Sequence, residues 1–74
     1  MDGKQLKAAR LALGLTLEQM ATMLGYQGQQ RRQMQYDLEI GRKPIREPQR
    51  RLVEAYISGY RPPDWGMTND SESD

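Results

Sequence analysis

Apolar residues recur along the chain at intervals of three and four and nowhere with the alternation of two that a strand needs, so the pattern predicts helices throughout. Four segments bounded by glycine or proline carry it. The first runs from Gly3 to Leu13, with Asp2 as N-cap, Gln5 placed to reach back as the other half of a capping box, Leu6, Ala9 and Leu13 on one face, and Gly14 ending the run. Its bases Lys4, Lys7 and Arg10 read as a solvated face. The second has the sharpest start. Thr16 and Gln19 form a Thr-x-x-Gln capping box, and Leu15 before the cap can close on Met20 as a hydrophobic staple. Met20, Met23 and Leu24 then make an apolar stripe with Ala21 beneath it, read as core rather than as a ligand surface, and Gly25 stops the helix.

After Tyr26, Gln27 and Gly28, no helix breaker occurs from Gln29 to Ile40, which predicts a third helix ended by Gly41. With Met34 and Leu38 turned inward, steps of about 100° per residue carry Gln29, Arg32, Gln33 and Tyr36 to the opposite face. A merely solvated helix more often carries Glu and Lys, whereas Gln and Arg are the side chains that make paired hydrogen bonds to base edges. Gly41, Arg42, Lys43 and Pro44 form a turn, and Glu47-Pro48 opens a fourth helix over Pro48 to Ser58 whose apolar side is Leu52, Val53, Tyr56 and Ile57. Gly59, Pro62 and Pro63 prevent its continuation. The expected architecture is all-α, four to five short helices in one domain over residues 1–63, followed by an acidic, disordered tail over 64–74.

Composition narrows the chemistry. A chain of 74 residues that is 36% hydrophobic builds one small core. Such a domain removes only about 60% of the surface its unfolded chain exposes and gains from a partner. There is no cysteine and no histidine, hence no disulfide, no thiolate or imidazole metal site and no thiol nucleophile, and no cofactor, metal or small-molecule ligand is expected. The nearest carboxylates, Asp37 and Glu39, stand two apart on a helix and face different directions, so an enzyme is the weakest reading. No apolar run reaches the length of about 20 residues that a membrane span needs, and the N-terminus does not read as a signal sequence, so a soluble, cytoplasmic protein is expected.

The net charge of +1 conceals an asymmetry. Residues 64–74 hold Asp64, Asp70, Glu72 and Asp74 and no base, which leaves 11 bases against 6 acids, a balance of +5, in the first 63 residues. Between Gln27 and Arg51 stand Arg31, Arg32, Arg42, Lys43, Arg46, Arg50 and Arg51 against only Asp37, Glu39 and Glu47. A basic middle with an acidic end fits a nucleic-acid binder.

Leu13-Gly14-Leu15-Thr16 followed by Leu17-Glu18-Gln19-Met20-Ala21-Thr22-Met23-Leu24-Gly25 resembles the opening of the phage repressor and Cro helix-turn-helix family, with Ala21 at the small position where its two helices cross. Glu39-Ile40-Gly41-Arg42-Lys43-Pro44 is similar to the Glu-x-Gly-Arg/Lys signature after that family's recognition helix. The likeness spans Leu6 to Ile57 and is nearest to small phage or prophage regulators of the kind encoded beside anti-CRISPR genes, which share a lengthened turn. Two features depart from the pattern. Gly25 through Glu39 is 15 residues, longer than in compact members, so either the turn or the recognition helix is extended. Leu17 also stands where many members carry a phosphate-contacting glutamine.

The resemblance implies a sequence-specific repressor that binds an inverted repeat in double-stranded DNA as a homodimer. Gln29, Arg31, Arg32, Gln33 and Tyr36 are then the candidate base contacts, and Thr16, Arg42 and Lys43 the candidate phosphate contacts. Tyr56, Ile57, Tyr60 and Trp65 form the candidate dimer interface, because they supply more large apolar surface than one small core covers; the alternative for Trp65 is that it folds back on its own chain. The second functional reading is a protein-binding helical module, such as an antitoxin or phage inhibitor, that does not read DNA.

Overall fold

The computed structural model describes residues 1–63 and 65, and among them every regular element is a helix: α1 (Gly3–Ala12), α2 (Leu17–Met23), α3 (Arg31–Glu39) and α4 (Glu47–Ile57). The acidic tail expected beyond Pro63 lies, apart from Trp65, outside the described residues.

Both predicted capping boxes form. The Asp2 carboxylate accepts the Gln5 N–H at 2.8 Å while the Gln5 side chain accepts the Asp2 N–H at 2.9 Å. Thr16 and Gln19 repeat the exchange at the start of α2, at 3.1 and 2.9 Å. Each box satisfies two backbone donors that a helix start would otherwise leave without acceptors. Leu15 and Met20, the two halves of the expected staple, are both buried in the core. The turn out of α2 needs Gly25, whose φ of 94° lies in the left-handed region that a side chain disfavours.

α3 begins two residues later than the polar run predicts. Its N-cap is Gln30, which makes no side-chain cap bond, and Gln29 belongs to the preceding turn. The extra length between Gly25 and Glu39 therefore resides in the connection over residues 24–30, and α3 itself is a helix of ordinary size with 9 residues. α4 is displaced the other way, starting at Glu47 and ending at Ile57.

The core draws on every helix. Leu6 of α1, Met20 of α2, Leu38 of α3 and Val53 of α4 have at most 1% of their surface exposed, and Ala9, Leu15, Met23, Leu24 and Tyr56 close around them. Burying a large aliphatic side chain of this kind contributes about 1.5–3 kcal/mol. α3 packs against both α1 and α2, and α4 leans on α1. Tyr56 fixes α4 to α2 by donating its hydroxyl to the Met23 carbonyl at 2.7 Å. Ile57, expected on the same apolar side, is instead 55% exposed. It stands about 100° around the helix from Tyr56, and the larger ring, with a buried acceptor for its hydroxyl, takes the inward direction.

Two further details depart from the expected solvated face of α1. Arg10 is buried, because its guanidinium clasps Glu39 at the end of α3 with Nε–Oε2 at 2.8 Å and Nη2–Oε1 at 3.2 Å and donates a third bond to the Leu15 carbonyl. Gln35, fully buried one turn before Glu39, donates to the same carboxylate at 2.8 Å. Gly3 lies so close to the end of α3 that a Cβ there would stand 2.7 Å from the Leu38 carbonyl oxygen and closer still to that of Glu39. α1 is thus locked to the end of α3 by one ion pair and one residue with no side chain.

Candidate nucleic-acid interface

The inward side of α3 is committed to Leu38, Gln35 and Glu39, with Met34 half-buried beside them. What remains exposed follows from the helical period: Arg32, Gln33, Tyr36 and Ile40 lie within about 100° of arc, and Gln29 is exposed in the turn before them. Tyr36 and Ile40 are each 48% exposed. Arg32 makes no ion pair or hydrogen bond among the described residues. Gln33 donates its amide to Asp37 at 3.0 Å and is exposed, with its second amide N–H and its amide oxygen left for other partners.

Arg31, grouped by sequence with the base contacts, points elsewhere. Its guanidinium donates to the Gly28 carbonyl at 2.8 Å and pairs with Glu18 of α2 at 3.1 Å, and its side chain is only 13% exposed. It braces the lengthened turn against α2. Thr16 is exposed at the entrance to α2 with its hydroxyl occupied in the capping box. After α3 the chain turns about Asp37, whose carbonyl accepts the N–H groups of Arg42 and Lys43 at 2.9 and 3.3 Å. The Arg42 side chain reaches the Asp37 carboxylate only loosely, at 3.7 Å, and stays two-thirds exposed. Lys43 is exposed with its ammonium 3.4 Å from the Met34 sulfur. Both bases keep their charge accessible, Arg42 beside Asp37 and Lys43 beside the half-buried Met34.

Lys4 and Lys7 were passed over by the sequence pattern as ordinary solvated bases. Together with Leu17 of α2 and Tyr36 and Ile40 of α3 they border a hollow of about 310 Å³ floored by the Arg10–Glu39 pair. Neither lysine has an ion-pair or hydrogen-bond partner among the described residues. The signal for them was spacing: three residues apart they share one side of α1, but nothing in the sequence placed that side next to α3.

The four expected dimer residues separate. Tyr56 is 2% exposed and belongs to the core. Trp65 folds back on its own chain, its ring edge-on to Tyr56 with centroids 5.0 Å apart and the Arg61 guanidinium 4.2 Å over its face. Ile57 and Tyr60 remain outward, 55% and 53% exposed. Tyr60 borders an apolar hollow with Pro48, Leu52 and Ala55, and Ile57 a second one with Met1 and Ala8 of α1.

No protein-family model, curated protein or solved structure matches the chain. Among the described residues no helix is long and apolar enough to cross a membrane.

Proposed function

We propose that the chain is a sequence-specific DNA-binding repressor in which α2 and α3 form a helix-turn-helix unit and the exposed face of α3 enters the major groove. The observation that supports this reading most is the composition of that face. Arg32, Gln33 and Tyr36 stand together on one exposed strip, bordered at Tyr36 by the accessible charges of Lys4 and Lys7, with those of Arg42 and Lys43 in the turn after the helix. Arg offers a fork of donors to guanine, Gln a donor and an acceptor to adenine, and the surrounding cations attract and align the phosphate backbone without reading sequence. Gln29 extends the strip from the turn, Thr16 adds a backbone contact at the entrance to α2, and Arg31 acts by holding the turn in place.

Binding as a homodimer places two such strips on an inverted repeat, with half-sites about one turn of DNA, roughly 34 Å, apart. Ile57 and Tyr60 are outward apolar side chains suited to that contact, Tyr60 stacked on Tyr56 and Trp65 edge-on to the same ring. Repression follows from occupancy, since a dimer seated on a promoter excludes the polymerase.

Selection of binding sites from random duplex DNA tests the proposal. A palindromic consensus is the expected outcome. Enrichment of no sequence, together with no binding at low salt, overturns it. Sedimentation at micromolar concentration, with and without the selected site, measures the assembly state.

A further inference from the structure

The face of α3 does not end at its own side chains. The hollow beside it is built from three helices: Lys4 and Lys7 on its rim, Leu17 at one wall, and Tyr36 and Ile40 at the other. Its floor is already satisfied, because Arg10 and Glu39 neutralise each other and Gln35 donates to the same carboxylate. A pocket whose floor carries an ion pair of no net charge, with apolar walls and two unpartnered ammonium groups at its edge, suits a ligand with a small apolar projection next to an anion. Duplex DNA offers that combination on its major-groove side, where the 5-methyl group of thymine lies near the backbone phosphates.

We propose that this hollow is a second DNA-contact element, in which Leu17, Tyr36 and Ile40 receive a thymine methyl and Lys4 and Lys7 hold the neighbouring phosphates. The inference rests on the repressor reading and adds to it a helix, α1, and a base preference that the strip of Arg32 and Gln33 does not supply. Tyr36 and Ile40 belong both to the exposed strip and to the hollow, so a duplex lying along α3 brings its edge to α1 without any movement of the helices.

The division of labour is testable because the two halves of the hollow respond to different probes. With the site selected for the full-length wild type, each thymine is replaced in turn by deoxyuridine, which removes only the methyl. One thymine in each half-site is expected to lose about fourfold in affinity, the worth of one buried methyl, and Ile40→Ala is expected to abolish that loss at the same position. Lys4→Gln and Lys7→Gln are each expected to lower the slope of log affinity against log salt by about 0.9 per chain and to leave the selected consensus unchanged. Circular dichroism and thermal melting verify that these exposed substitutions leave the fold intact.

A selected site whose thymines all tolerate deoxyuridine, or that contains none, overturns the methyl contact. Unchanged salt slopes in both lysine variants overturn the phosphate contact. Either result, obtained with a wild type that binds its site, rejects the hollow while leaving the repressor reading standing. A wild type that binds no duplex DNA at low salt removes both.

Discussion

The cations of α4 and those around α3 look alike in sequence and differ in what is left of their charge. On α4, Arg50 is held between Glu47 and Glu54, reaching the latter at 2.6 Å, and Arg51 leans on Glu47 at 3.2 Å. Around α3, Lys4, Lys7 and Arg32 have no acidic partner among the described residues, and Arg42 touches one only at 3.7 Å. The count of bases between Gln27 and Arg51 therefore overstates the attraction of α4 for an anion and omits the contribution of α1. A base can attract phosphate only with charge that the fold has not already balanced, and local i, i+3 and i, i+4 partners decide that balance on a helix.

The contrast can be broken most severely at the one base of α1 that is fully committed. Glu39→Ala leaves the Arg10 guanidinium buried without its counter-charge and takes away the acceptor of Gln35, which is expected to cost about 3–5 kcal/mol in denaturant-induced unfolding. For a domain of this size that is a large part of the total stability. Arg10→Met with Glu39→Leu, which removes both charges at once, is expected to recover most of the loss. A single Glu39→Ala variant as stable as wild type would mean that the pair does not fix α1 to α3.

Next in size are the base-reading side chains. Arg32→Ala and Gln33→Ala are each expected to cost about 1–3 kcal/mol on the selected site and to relax the preference at one base pair, whereas Lys43→Ala is expected to weaken all sequences alike. Repeating the selection with each variant checks this. The same consensus from both helix variants would move the reading face away from Arg32 and Gln33.

The legibility of these roles in the sequence divides along the same line. Short-range devices were readable: Asp2 with Gln5 and Thr16 with Gln19 announce both helix starts within three residues, and the 3.6-residue period sends Arg32, Gln33 and Tyr36 outward once Leu38 is placed inside. What depends on tertiary proximity was not. Arg10 and Glu39 are 29 residues apart and meet only because α1 crosses the end of α3, and that crossing also requires Gly3 and brings Lys4 and Lys7 beside Tyr36. The start of α3 is hidden for a local reason: Gln29 and Gln30 are good helix formers, and the N-cap Gln30 makes no capping bond to mark it. The outward direction of Ile57 is equally hidden, because Tyr56 and Ile57 are both apolar and only packing decides which one turns in.

The smallest expected effect concerns α4. The hydrogen bond from Arg50, with support from Arg51, lowers the Glu47 carboxyl from an ordinary 4.5 to about 2. A folded-state value below the unfolded one stabilises the fold above about pH 4.5, and that stabilisation is lost as the pH falls through 2. The group is exposed, so Glu47→Gln is expected to be only slightly less stable than wild type above about pH 4.5, with the gap closing as the pH falls from 4.5 to 2. Arg51→Ala, which removes a charge already balanced by Glu47, is expected to leave the salt dependence of DNA binding unchanged. A drop in slope equal to that of the lysine variants would show that α4 contributes to the contact after all.

Titrating the wild-type protein against duplex DNA at several salt concentrations asks whether the unbalanced cations around α3 form a DNA-binding face. Each phosphate held should add about 0.9 to the magnitude of the slope of log affinity against log salt. With Lys4, Lys7, Arg42 and Lys43 on phosphates and Arg32 on a base edge, a slope of about −3.6 per chain is expected. Binding that is undetectable at the lowest salt, or that varies with salt by less than one phosphate's worth, would contradict it.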